Sequence, residues 1–277
     1  MTWLNSPIPP PRPRPHPRSA PFAVLGLVAI MAAGCQSVSV LDALNQVSPI
    51  SAPTSAKTDI DWRREAESLG AKYRAEPGDA DVALAYAQAL RASGQRSQAV
   101  SVLEQASLRQ PRNTVLLGAY GKALAEVGNL EQALEVLNRA HSPDQPDWRI
   151  LSAQGAVLDQ LGRHKEAQGY YASALKINPE EPSVLSNLGL SYALAKNLKQ
   201  AEATLRHAAT LSGADPRVRQ NLALVVGLQG RFSEAETIAR ADLPSEQAAA
   251  NVAYLRQMLT QQDDLKNINL PNPARRT

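Results

Sequence analysis

Residues 182–215 read PSVLSNLGLSYALAKNLKQAEATLRHAATLSGAD and decide how this chain folds. Leu188 and Tyr192 fall on one face of a first predicted helix, and Ala201 and Leu205 fall on one face of a second. Neither helix is apolar all round. The pair therefore leaves a hydrophobic side that a neighbouring pair must cover.

The size of the side chains recurs every 34 residues. The place of Gly189 is small in each copy: Ala87, Gly121, Gly155 and Ala223. The place of Ala201 is always alanine: Ala99, Ala133, Ala167 and Ala235. The place of Leu205 is large in Leu103, Leu137 and Tyr171 but is Ala239 in the fifth copy, and that of Ala208 is Ala106, Ala140 and Ala174 but finally Asp242. A glycine follows the first helix at Gly94, Gly128, Gly162 and Gly230, with Lys196 as the exception. Small residues let two helices cross closely, and glycine adopts the left-handed conformation that ends a helix.

This pattern resembles the tetratricopeptide repeat, a helix–turn–helix unit whose signature also has a proline before the next unit. Pro77, Pro111 and Pro179 hold that place. The resemblance implies an all-α, right-handed superhelical solenoid of five repeats at about 80–113, 114–147, 148–181, 182–215 and 216–247. Capping helices at both ends, the second ending near Gln261, complete a solenoid over 59–262. The remaining residues, 263–277, are predicted to be a disordered tail.

The first 58 residues are predicted to lie outside this fold. Residues 1–34 carry a basic segment and then a short apolar run, which is typical of a secretory signal peptide, with an inner-membrane anchor as the alternative. The run ends in Ala-Ala-Gly-Cys35, which resembles a bacterial lipobox and implies acylation of Cys35. Gln36 follows, and this favours the periplasmic face of the outer membrane over retention at the inner membrane. Residues 35–58 are predicted to be a flexible tether.

The charges and the isolated polar residues argue against nucleic acid and against catalysis. The chain has 29 Lys and Arg against 26 Asp and Glu, but residues 1–34 hold three arginines and no acid, so the remainder is neutral. The four histidines have no metal-ligand spacing, and we interpret His164 as a solvated side chain. No nucleophile motif or phosphate loop is present. We therefore expect no enzyme activity, no metal, no cofactor and no small-molecule substrate.

The repeat resemblance implies a concave groove lined by the first helix of each repeat. The groove positions hold Asn187, Asn221, Leu190, Leu224, Arg217, Gln220, Lys122 and Arg91. In related repeats an asparagine at the place of Asn187 and Asn221 holds the backbone of an extended peptide, since an amide both donates and accepts. The alternative is that these two side chains bridge adjacent helices.

Two C-terminal strings are more specific than the repeat. They span 220–244 and 248–259 and resemble the TadD family of tetratricopeptide lipoproteins, which serves the Flp (tight-adherence, Tad) pilus of Gram-negative bacteria. The resemblance implies a non-enzymatic, pilotin-like assembly factor that binds the pilus secretin or another component of the apparatus. The alternative function is a general periplasmic scaffold or chaperone in outer-membrane protein or cell-wall assembly.

Overall fold

The computed structural model describes residues 57–142 and 144–269, with side chains as far as residue 261. The predicted signal peptide, Cys35, nearly all of the predicted tether and residues 270–277 lie outside that part. The described part forms twelve helices and no named strand. They are α1 (Asp59–Ala75), α2 (Ala80–Ala92), α3 (Arg96–Arg109), α4 (Thr114–Glu126), α5 (Leu130–Arg139), α6 (Trp148–Gln160), α7 (His164–Ile177), α8 (Pro182–Leu194), α9 (Leu198–Thr210), α10 (Pro216–Leu228), α11 (Phe232–Ala239) and α12 (Ser245–Asn269). None of them combines the length and the apolar character that crossing a bilayer requires.

The helices pair into five hairpins, α2/α3 to α10/α11, that repeat in phase with the sequence. The first helices begin at Ala80, Thr114, Trp148, Pro182 and Pro216, each 34 residues after the last. Before each start, the side chain of the preceding residue accepts a backbone N–H of the first turn: Asp79, Asn113, Asp147, Glu181 and Asp215. The all-α repeat fold with a helix at each end is thus confirmed.

Small and large residues meet across each hairpin. A Cβ on Gly155 would lie 2.7 Å from the ring of Tyr171, and a Cβ on Gly189 would lie 2.6 Å from Leu205 Cγ. The large partners are fully buried. The recurring glycine therefore makes room for a side chain of the second helix, which lets the two helices of the hairpin pack closely.

Each hairpin turn contains a residue in the left-handed conformation. The four predicted turn glycines have φ between 74° and 84°. Lys196 occupies the same place with φ 63° and is the one non-glycine residue with positive φ in the described part. Its backbone N–H donates to Ala193 and that of Asn197 donates to Tyr192, so the lysine accepts the strain and keeps the helix end.

We expect Lys196→Gly to stabilise the fold by about 0.5–1 kcal/mol, because a residue with a Cβ is disfavoured in this conformation. The greater freedom of glycine in the unfolded chain offsets part of the gain. Thermal unfolding followed by circular dichroism would show a midpoint about 2 °C higher. The reverse change Gly162→Lys is the matched control and should lower the midpoint. An unchanged midpoint in both variants would contradict the conformational argument.

The C-terminal end departs from the repeat in two ways. Asp242, which stands where four copies have alanine, is nearly buried and pairs through two contacts with Arg219 on α10, one of them 2.6 Å between Nε and Oδ2. The final helix runs to Asn269, so the prediction of a tail from residue 263 was wrong for 263–269. No glycine or proline interrupts that segment, and the first proline is Pro271.

The stack is tighter along its first helices than along its second helices. Within the described residues, α2 packs on α4, α4 on α6, α6 on α8 and α8 on α10. Consecutive second helices do not pack on each other in a comparable way. The first helices therefore form the inner side of the curve, where the sequence placed the candidate groove.

Candidate protein-binding groove

The two groove asparagines both reach the preceding repeat. Asn187 Nδ2 on α8 donates to Ser152 Oγ on α6 at 3.3 Å, and Asn221 Nδ2 on α10 donates to Ser186 Oγ on α8 at 3.0 Å. Both serines are buried and both asparagines are half-buried. The side chains therefore bridge helices, as the alternative interpretation expects. An amide has a second N–H and an acceptor oxygen, so the bridge still leaves it capacity to bind a peptide backbone.

A basic cleft lies between the second and third repeats and includes two predicted groove residues. It has a volume of about 820 Å³. Its charged lining consists of Arg91, Arg112, Lys122, Arg139 and Arg149, with Asp147 as the acidic member. Val115, Ile150 and His141 also contribute. The cations come from three first helices, the turn before α4 and the end of α5, so this cleft is wider than the first-helix face alone.

The two predicted cations in the basic cleft have different surroundings. The Arg91 guanidinium contacts both carboxylate oxygens of Glu126, with Nε donating to Oε2 at 2.8 Å, and this pairing raises the pKa of Arg91. Lys122 is half-buried, and burial holds its pKa below the usual value. Asp147 opposes that shift, whereas Arg91 and Arg149 reinforce it. Lys122 is thus a cation in an environment that already has excess positive charge.

Other predicted groove residues lie at the C-terminal end of the stack. Gln220 and Leu224 line a small apolar cavity of about 70 Å³ beneath α12, together with Met258. Gln220 Nε2 is buried and has no hydrogen-bond partner in the described part of the chain. Arg217 is exposed and returns to its own helix cap, with Nε 3.1 Å from Asp215 Oδ1.

Leu190, on α8, is half-buried and lines neither cavity. The eight predicted residues therefore do not form one site. Two lie in the basic cleft, two line the apolar cavity, two bridge repeats, and Arg217 and Leu190 stand apart.

A buried polar cluster around Asp159 was not anticipated from the sequence. Asp159 Oδ1 accepts from His164 Nδ1 at 2.9 Å and from Ser191 Oγ at 2.8 Å, and Oδ2 accepts from the Tyr171 hydroxyl at 3.1 Å. Burial, followed by the nearby carboxylate, raises the pKa of Tyr171. The interpretation of His164 as a solvated side chain was wrong, because its position after the turn brings it onto the end of α6.

The Asp159 cluster holds serine, histidine and aspartate but does not have the arrangement of a hydrolase triad. Serine and histidine both bind the same carboxylate oxygen, whereas a triad needs the histidine between the other two. Ser191 is also completely buried, so a substrate cannot reach its hydroxyl. The cluster therefore joins α6, α7 and α8 across a repeat boundary. Within the described residues, no group of three or more His, Cys, Asp or Glu side chains is placed to hold a metal ion.

Two signals in the sequence could have found what was missed. Serine and asparagine are 35 residues apart in both bridges, at consecutive repeat positions of neighbouring units. Arg112 and Arg139 lie outside the first helices, so a search restricted to groove positions passes over them. Only the packing of α5 and the α3–α4 turn beside α4 brings them to Lys122.

The fold and the groove define a class of protein in which stacked helical hairpins build a binding surface. Residues 90–156 and 160–225 match the family model of the tetratricopeptide repeat. The chain belongs to the tetratricopeptide-repeat proteins, whose domains bind protein partners and are typically non-enzymatic scaffolds. A search of curated proteins gives no significant match.

Several solved structures share the fold. Pseudomonas aeruginosa PilF is 21% identical, with a TM-score of 0.50, and the match covers 64% of this chain and 82% of that one. PilW, described as a widely conserved type IV pilus biogenesis factor, is 17% identical, with a TM-score of 0.60 and coverage of 70% and 91%. A thermophilic tetratricopeptide protein of Thermus thermophilus is 22% identical, with a TM-score of 0.56 and coverage of 63% and 97%. At these identities the likeness shows the fold alone.

Proposed function

We propose that this chain is a non-enzymatic assembly factor for the Flp (Tad) pilus. It is held at the periplasmic face of the outer membrane by a lipid on Cys35, and it binds the secretin or another component of the apparatus. The observation that carries the proposal is the resemblance of residues 220–244 and 248–259 to the TadD family. These strings build α10, α11 and most of α12, which together enclose the apolar cavity.

Two further observations support a binding role. The first helices form the inner side of the stack and carry the basic cleft, so a partner can lie across several repeats. The Asp159 cluster, which has the residue types of a hydrolase, is arranged for structure. That PilW is described as a type IV pilus biogenesis factor is compatible with the proposal, since a related fold serves a pilus there.

Deletion of the gene tests the pilus assignment. We expect surface Flp pili to disappear and the secretin to form fewer multimers, because the proposed partner would lack its assembly factor. Electron microscopy and immunoblots of unheated envelope samples measure the two effects. Normal pili in the deletion strain would refute the assignment and favour a general periplasmic scaffold.

Complementation of that strain separates the two interpretations of the asparagines. Asn187→Ala with Asn221→Ala removes both the bridges and the groove amides. Ser152→Ala with Ser186→Ala breaks the same bridges. If the amides bind a partner, only the asparagine pair reduces piliation at equal protein level. If they only bridge repeats, the two pairs behave alike.

The membrane anchor is tested by metabolic labelling with a clickable fatty acid. Cys35→Ser should abolish the label and release the protein from the membrane fraction, because it removes the proposed acylated thiol. Persistent labelling would refute acylation at Cys35.

A further inference from the structure

The lining of the basic cleft carries more positive charge than its own acids can neutralise. Arg112, Lys122 and Arg139 form no ion pair or side-chain hydrogen bond with any residue whose side chain the structure describes. Arg149 lies over its neighbour Trp148, 4.5 Å from the ring centroid. Asp147 is the single carboxylate of the lining, and it already accepts the backbone N–H of Arg149 as a helix cap.

This excess is a local feature of the molecule. Beyond residue 34 the sequence has as many acids as bases, so the basic cleft is not a sample of a generally basic surface. Elsewhere arginines are neutralised in ion pairs, such as Arg219 with Asp242 and Arg206 with Glu202. Within the cleft, Arg91 is neutralised by Glu126, and the remaining cations point to an anion that the chain itself does not supply.

The desolvation of Lys122 strengthens this argument. Its ammonium is half-buried beside two arginines, and its pKa is lowered mainly by burial. A partly buried cation without a counter-charge is unfavourable, and an anion placed nearby relieves that cost. Planar guanidinium groups at the rim match carboxylates through two parallel hydrogen bonds.

We propose that the basic cleft binds an acidic polypeptide segment, with carboxylates of the partner at Arg112, Lys122 and Arg139. The inference rests on the proposed role in protein binding but not on the pilus assignment. The cleft runs across the first helices of successive repeats and has a volume of about 820 Å³, within the range of ligand-binding clefts. The exposed Val115 and the Ile150 side chain add apolar contact between the charges, as a polypeptide surface requires.

The lining favours a polypeptide over nucleic acid. The described residues that line the cleft include no Phe, Tyr or Trp, whereas single-stranded nucleic acids are bound through bases that stack on such side chains. A negatively charged lipid surface is the other source of anions, and it requires cations spread over an exposed face. Here Lys122 is recessed beside the half-buried Arg91, which suits a segment that enters the cleft.

The test measures binding of a fluorescein-labelled twelve-residue peptide of alternating Glu and Ser to the full chain by fluorescence anisotropy. The same peptide with Gln in place of Glu is the neutral control. We expect the Glu peptide to bind about tenfold or more tightly than the Gln peptide, and added salt to reduce the difference.

Two triple variants with the same change in net charge locate the binding site. Arg112→Gln, Lys122→Gln and Arg139→Gln should raise the Kd of the Glu peptide about tenfold. Arg96→Gln, Lys165→Gln and Lys199→Gln remove exposed cations of second helices and should leave the Kd unchanged. Circular dichroism checks that both variants remain folded.

Three results would overturn the proposal. They are equal affinity for the Glu and Gln peptides, equal loss of affinity in both triple variants, and binding of phosphatidylglycerol vesicles without binding of the Glu peptide. Failure of the pilus assignment is seen separately, because it changes piliation of the deletion strain and not peptide affinity.

Discussion

Asp159→Ala should lower the midpoint of thermal unfolding by about 6–12 °C, which corresponds to about 3 kcal/mol for a domain of this size. The change removes the acceptor of three hydrogen bonds, from His164, Tyr171 and Ser191. Tyr171 and Ser191 are fully buried, so their hydroxyls would lose their partner without gaining water. Each buried donor left in that state costs about 1–3 kcal/mol.

Asp159→Asn and Asp81→Ala are the controls for this prediction. Asparagine keeps one acceptor oxygen and should give an intermediate loss. Asp81 is exposed in the first turn of α2, and its removal should cost about 0.5 kcal/mol. Equal midpoints for Asp159→Ala and Asp81→Ala would show that the polar cluster does not hold the third and fourth repeats together.

Gly189→Ala should destabilise the fold by about 1–3 kcal/mol, although alanine is the better helix former. The new Cβ would lie 2.6 Å from Leu205 Cγ and 3.1 Å from its Cδ2, and the leucine is completely buried. Gly169→Ala is the matched control, because a Cβ there meets nothing within 4 Å. The control should therefore gain up to about 1 kcal/mol in urea or thermal unfolding.

A double-mutant cycle with Leu205→Ala tests whether the small and large residues act as a pair. The fifth repeat has alanine at both places, Ala223 and Ala239. We therefore expect the double variant to be at least about 1 kcal/mol more stable than the sum of the single changes predicts. Strict additivity would mean that the two positions do not constrain each other.

The repeat could be predicted because packing demands the same residue size at the same place in every hairpin. Gly155 and Gly189 had to be small for Tyr171 and Leu205 to fit, and the turn glycines had to adopt positive φ. Lys196 shows the limit of that argument, because the chain accepts the same conformation without glycine. Asp242 breaks the alanine pattern since Arg219, on another helix, supplies its counter-charge.

The site could be predicted only in part, because it depends on contacts between repeats. Periodicity placed Arg91 and Lys122 on the inner side but could not show that Glu126 neutralises the first and leaves the second. Likewise His164 stands after a turn, a usual place for a solvated side chain, and only the fold brings it to Asp159. Such pairings depend on three-dimensional packing that one sequence does not encode as a local pattern.

Photo-crosslinking in living cells tests most directly the central claim that the inner, first-helix side binds another polypeptide. Val115 on α4 is 65% exposed and lines the basic cleft, whereas Leu108 on the second helix α3 is 76% exposed. Benzoylphenylalanine at either place replaces an exposed apolar side chain and should not disturb the fold. The account predicts an adduct with a second polypeptide from residue 115 and none from residue 108. Equal adducts from both, or an adduct from residue 108 alone, would contradict it.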